Sequence, residues 1–159
     1  MKVDAASPGA RLMARLDEFA RFSDEAGKLT RLYLSNAHRG AARQFIAWCA
    51  EIGLAARVDA SGNVWARYEG KQPGAPALMI GSHIDTVRDA GRYDGNLGAL
   101  AALAVVEELV HNGERLDFDN GHHHLVRRRR ADVDAWENGV SAQLVVRREV
   151  EAHRRAPGR

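Results

Sequence analysis

The chain has 159 residues, of which 45% are apolar and 28% charged, and a formal net charge of +2. That is enough for one domain with a real core and too little for two comfortable ones, and so even a balance gives the whole chain no pull toward nucleic acid or an anionic membrane. The single cysteine, Cys49, excludes an internal disulfide framework and fits a reducing compartment.

The opening segment "MKVDAASPGA" has no apolar run of the kind a secretory signal carries. The longest apolar run, 97–106, falls well short of the roughly 20 residues a membrane span needs. The expected location is the cytoplasm, with neither membrane nor nucleic acid as partner.

In chain order, residues 10–27 place Leu12, Leu16, Phe19 and Ala20 at helical spacing, with Gly27 as a stop. A second helix follows in "SNAHRGAARQFIAWCAEIG". Ser35 or Asn36 can cap it, Ala42, Phe45, Ile46, Cys49 and Ile52 form one face, and Gly53 suits the position after its end. Cys49 on that face is read as a small core residue, not a nucleophile. "LAARV" and "NVWARYEG" read as short strands around the turn formers of "DASGN". After the turn "KQPGAP", residues 77–83 ("ALMIGSH") read as a buried strand. Residues 97–113 ("LGALAALAVVEELVHNG") read as a largely buried helix with Gly113 as its stop. The order is that of an α/β layered fold.

Between that third strand and that third helix lies "GSHIDTVRDAGRYDGNLG", which gathers His83, Asp85, Asp89 and Asp94 among four glycines. Open α/β sheets bind their ligands at the carboxyl ends of strands. Neutral imidazole and carboxylate are zinc ligands. If the strand geometry continues, His83 and Asp85 share a face, so that one can ligate while the other supports it from behind. Asp94 comes eleven positions after His83 and just ahead of a helix, where it could reach the same ion. Two other arrangements fit the same residues. In one, Asp94 merely caps the helix. In the other, Ser82, His83 and an aspartate form a triad, although adjacent Ser82 and His83 would point to opposite faces of a strand.

The string "LTRLYLSNAHRGAARQFIAWCAEIGLAARVDASGNVWARYEG", followed by "PALMIGSHIDTVRDAGRYDGNLGALAALAVVEEL", closely resembles the start of the allantoate amidohydrolase and N-carbamoyl-L-amino-acid hydrolase family of dinuclear metal amidohydrolases. The resemblance runs over about residues 10–119, and "LTRLYL" with "RDAGRYDG" leans toward the allantoate branch. It implies the amino-terminal portion of a three-layer αβα zinc-peptidase-like domain holding two Zn²⁺ or Mn²⁺ ions. His83 would ligate one ion, Asp94 would bridge both, and Asp85 would orient His83 from the outer shell. Paired ions of this kind lower the pKa of a bridging water and polarise a scissile carbonyl.

The resemblance also implies parts that do not appear here. The family continues with a strand ending in Glu-Glu, a general base followed by a metal ligand, then with further histidine ligands and an inserted dimerisation domain. From residue 120 the chain instead carries nine arginines and no lysine. Residues 120–159 are therefore expected to be a foreign basic tail, frameshifted or disordered, although 140–146 could form a strand. Shifted by one base, three histidine codons give Ile or Thr, and CGC-CGA-CGA-AGA-G, coding for 127–130, gives Ala-Asp-Glu-Glu. The fit stops after Ala131, where the Gly expected next is not obtained. As binding motifs, "HHH" chelates poorly and "RRRR" lacks aromatics for base stacking.

The expected function is hydrolysis of a linear amide or ureido bond in a small molecule, foremost that of allantoate with release of ammonia and carbon dioxide. The chain itself is expected to be an inactive truncated remnant of a homodimeric enzyme. The alternatives are an N-carbamoyl-L-amino-acid hydrolase, or a non-catalytic fragment that only folds or associates with an intact subunit. Loss of the covering elements should leave apolar surface bare at 77–80 and on the helix at 97–110.

Overall fold

The computed structural model describes residues 7–71, 78–116 and 141–145. Helix α1 spans Pro8–Phe19, with Pro8 in its first turn and the Ser7 hydroxyl accepting from the Ala10 amide at 3.2 Å, as an N-cap residue should. It is shorter than its periodicity suggests, and the chain turns at Ala20 well before Gly27. The reason is competition for carbonyls. Those of Phe19 and Phe22 accept from the Arg31 guanidinium at 2.6 and 2.9 Å.

Helix α2 spans Asn36–Glu51, and Ser35 caps it by accepting from the His38 amide. Gly53 follows with φ +75°, the left-handed turn that ends helices. Strands β1 (Ala55–Val58) and β2 (Val64–Arg67) pair antiparallel, Ala55 opposite Arg67 and Val58 opposite Val64. Their turn is tied by the Asp59 carboxylate, which accepts from the amides of Ser61 and Asn63, from Asn63 Nδ2 and from Trp65 Nε1. β3 spans Met79–His83 and α3 spans Asn96–His111.

A fourth strand, β4 (Ser141–Val145), falls within the 140–146 stretch read as strand-forming. The sheet order is β1-β2-β4-β3, with β4 parallel to β2 and antiparallel to β3. β2 and β3, consecutive in sequence, are therefore not neighbours in the sheet. The fold is α/β.

One core joins these elements. Leu16 and Phe19 of α1, Phe45, Trp48 and Cys49 of α2, Val64 and Ala66 of β2, Ile84, and Leu100, Leu103 and Val106 of α3 pack together. A bidentate ion pair closes α1 over α3: Arg15 donates to both oxygens of the buried Glu107 at 2.8 and 3.0 Å. The expectation of a buried third strand is corrected. Leu78 and Met79 are 51% and 59% exposed, and Ile80 is exposed too, in keeping with the bare apolar surface expected over 77–80. No described helix is long and apolar enough to cross a membrane.

Candidate functional site

β3 ends at His83, and the chain leaves it through a loop pinned from below. Ile84 is fully buried in the core. The loop runs beside residues 29–31: the Thr86 amide donates to Arg31 O at 2.8 Å, the Arg31 amide to Thr86 Oγ1 at 2.8 Å, and the Ala90 amide to Leu29 O at 2.8 Å. Satisfying main-chain groups in this way makes an irregular loop rigid.

His83 and Asp85 do meet, though not through a continued strand. The main-chain carbonyl of Asp85 lies 2.9 Å from His83 Nδ1, and its carboxylate Oδ1 lies 3.5 Å from the same nitrogen. A carbonyl only accepts, so the ring proton sits on Nδ1 and the Nε2 lone pair is free. That arrangement is how a histidine is prepared for a metal. Asp85 Oδ1 is buried, with no hydrogen-bond partner.

Asp94 lies across the ring, its Oδ1 3.6 Å from His83 Nε2. Two donors sharing one ion at bonds of about 2.0–2.1 Å in roughly tetrahedral disposition stand about this far apart. The donor types and their spacing thus fit one metal between them. Asp94 does not cap α3: the N-cap is Gly95, and no side chain bonds to the helix start. The triad finds no support either, since Ser82 packs against α3, where a Cβ on Gly98 would meet its Oγ at 2.8 Å. Asp89 turns away to pair with Lys28 at 3.5 Å. Among the described residues no three His, Cys, Asp or Glu side chains are grouped to hold an ion, so His83 and Asp94 stand as a pair.

Three participants escape a reading of the linear sequence. Gly95, with φ +67°, lets α3 begin against the His83 ring. Arg31, fully buried, donates from Nη1 to Ile84 O at 2.8 Å and to Asn96 Oδ1 at 3.0 Å. His38 is also fully buried, with neither ring nitrogen hydrogen-bonded. Burial depresses its pKa below 6.5, opposed by the negative charge of Asp85. An arginine set between leucines in "LTRLYL" was the one available signal. Cys49 is no hidden nucleophile, because burial pushes its thiol pKa up to about 12.

No protein-family model matches the chain. Over 102 residues it is 43% identical to allantoate deiminase 1 of Glycine max, a match covering 64% of this chain and 21% of that protein. It is 38% identical over 103 residues to the N-carbamoyl-L-amino-acid amidohydrolase of Paenarthrobacter aurescens, covering 65% of this chain and 25% of that one. Among solved structures, a hydantoinase/carbamoylase family amidase from Burkholderia ambifaria superposes with a TM-score of 0.66 at 33% identity, over 94% of this chain and 32% of that one. The homologues thus include allantoate deiminases and carbamoyl-amino-acid amidohydrolases, and the structural neighbours include hydantoinase/carbamoylase amidases. The chain spans about a fifth to a quarter of the length of those two curated relatives.

Proposed function

We propose that this chain supplies the His83–Asp94 half of a two-metal site in an amidohydrolase that cleaves a linear ureido or amide bond, with allantoate as substrate. The observation that carries the reading is the 3.6 Å gap between His83 Nε2 and Asp94 Oδ1, with Nδ1 already held by Asp85. Homology to allantoate deiminases supports the reaction class.

In this reading His83 and Asp94 would hold Zn²⁺ or Mn²⁺, whose chemistry when bound would be to lower the pKa of a water and to polarise the scissile carbonyl. The chain's own residues do the positioning. Asp85 fixes the tautomer and angle of His83 by accepting from Nδ1–H through its main-chain carbonyl. The His83 and Asp94 side chains are 41% and 63% exposed, so the pair opens outward toward further ligands and substrate. The described residues offer two donors and no general base, so turnover needs groups beyond them. The described residues by themselves are then inactive or severely impaired. Residues 120–159 belong to the same proposal as the product of a shifted reading frame. Sequencing the locus tests that origin, and absence of the Glu-Glu pair and the histidines from every shifted or downstream frame would sink it.

The likeness to an N-carbamoyl-L-amino-acid amidohydrolase favours one second reading, the same half-site serving a carbamoyl amino acid. Calorimetric titration of the purified chain with Mn²⁺ tests the main reading. It should show weak binding of at most one ion, lost in His83→Ala. Tight binding of two ions would overturn the half-site reading, and so would binding indifferent to His83. Allantoate and an N-carbamoyl amino acid, each assayed with Mn²⁺ against the His83→Ala control, distinguish the substrates. Turnover of neither fits an inactive fragment.

A further inference from the structure

Among the described residues, Arg31 is the largest side chain buried completely, yet no carboxylate of theirs is hydrogen-bonded to it. Its guanidinium lies over the Phe19 ring at 4.5 Å and spends its donors on neutral oxygens: Nε on Phe22 O, Nη2 on Phe19 O, Nη1 on both Ile84 O and Asn96 Oδ1. Burying a cation without a bonded anion is expensive, and burial draws its pKa down to about 10 against the attraction of Asp24 and Asp85. An apolar side chain could fill the volume. It could not join these acceptors.

The acceptors of Nη1 lie beside the two donors of the candidate site. Ile84 separates His83 from Asp85, and Asn96 is the second residue after Asp94. Asn96 is itself buried, and its Nδ2 donates to Arg92 O at 3.3 Å, across the turn that carries Asp94. One nitrogen therefore ties the end of β3 to the start of α3. Two elements that also approach closely where Gly95 meets His83 and Gly98 meets Ser82 are held in a fixed relation by it. We propose that Arg31, acting through Ile84 O and Asn96 Oδ1, is a positioning residue that sets the separation of His83 from Asp94. The metal arm of its test rests on the half-site reading; the claim about spacing does not.

The experiment uses the full 159-residue chain, with Zn²⁺ alone as the probe and NMR of the His83 ring as the readout. Asn96→Leu keeps the volume and removes the acceptor. Asn96→Asp keeps the acceptor. Arg31→Lys keeps the charge but loses the planar fork that reaches several acceptors at once. Without metal, the wild type and Asn96→Asp should show close contacts between the His83 ring and Gly95, and Asn96→Leu and Arg31→Lys should lose them. With Zn²⁺, the latter two should bind about 10-fold or more weakly, the scale on which outer partners of ligands act, and Asn96→Asp should stay within about threefold of wild type. A folded Asn96→Leu protein with wild-type His83–Gly95 contacts overturns the proposal, whatever the metal does. If Arg31→Lys fails to fold, the Asn96 pair decides. Failure of the wild type to bind Zn²⁺ at His83 would instead refute the half-site reading, and the metal-free contacts would still judge Arg31.

Discussion

Gly95 and His83 touch so closely that a Cβ on Gly95 would lie 2.4 Å from the imidazole and 2.5 Å from the His83 carbonyl oxygen. Real carbons do not approach so near, and a backbone at φ +67° and ψ −50° is strained for any L side chain, by about 1–3 kcal/mol. Gly95→Ala should therefore destabilise the fold by about 3 kcal/mol in urea unfolding, since overpacking adds about 1–3 kcal/mol. It should also weaken metal binding by moving the ring away from Asp94. Gly113→Ala is the control. Its φ is +66° but no atom lies within 4 Å of the added Cβ, so about 1 kcal/mol should be lost and metal binding kept. Equal effects of the two substitutions would show that His83 is not confined by Gly95.

The Arg15–Glu107 pair is a second load on the fold, because the two side chains are only 14% and 7% exposed. Removing one member of such a pair strands the other's charge. Glu107→Ala should cost about 3 kcal/mol in urea unfolding, since it removes the partner of Arg15, which lies over the Trp48 ring at 5.5 Å, and a partner of Arg11 at 3.6 Å. Replacing both by apolar residues, Arg15→Met with Glu107→Leu, should recover most of that loss, since apolar packing often equals a buried ion pair. A single Glu107→Ala change costing under about 0.5 kcal/mol would show that this pair adds little to the hold of α1 on α3, which the Arg11–Glu108 pair and the apolar contacts also supply.

Cys49 sits in the core with its thiol pKa raised to about 12 by burial, against the opposing positive charge of Arg15. At pH 8 almost none is thiolate, and access requires opening of the core. Alkylation by iodoacetamide should therefore follow unfolding, slow in buffer and fast in denaturing urea. Rapid labelling of the native chain at pH 8 would contradict the burial.

How far the sequence foretells this molecule varies with the range of the interaction. α2 was legible nearly to the residue, because Ser35 and Gly53 act on their own neighbours. The β1–β2 hairpin was legible for the same reason, through Asp59. The carboxyl boundary of α1 was not: the carbonyls of Phe19 at its end and of Phe22 beyond it accept from Arg31, a partner 9–12 positions away whose choice depends on the tertiary fold. In the site, His83, Asp85 and Asp94 could be picked out by residue type and by likeness to a family. The means by which Asp85 holds His83 could not, since a main-chain carbonyl carries no sequence signature. Nor could the insertion of β4 between β2 and β3, because a five-residue strand in a poorly periodic segment does not declare its partners.

His38 makes a final prediction, on acid stability. Its ring is buried without hydrogen bonds, and burial favours the neutral form, so its folded-state pKa lies below the 6.5 of the unfolded chain. The charges acting on it are Asp85 and Asp24, which favour protonation, and Arg31 and Arg39, which oppose it. Between the folded and unfolded pKa values the unfolded chain binds more protons, so stability falls as pH falls. The loss begins as pH drops through about 6.5, runs at up to about 1.4 kcal/mol per pH unit, and levels off below the folded pKa. Asp24 acts in a separate window. Its pKa is held below 3.8, chiefly by the Ser35 hydroxyl, so its stabilising effect is lost only at stronger acidity. His38→Phe keeps a planar ring against Tyr33, whose ring centroid is 6.0 Å away, and removes the titration. Urea unfolding at intervals from pH 5 to 7.5 should show a clear loss of stability with acid in the wild type and a smaller one in His38→Phe. Parallel curves for the two proteins would mean that His38 takes up its proton as readily inside the fold as outside it.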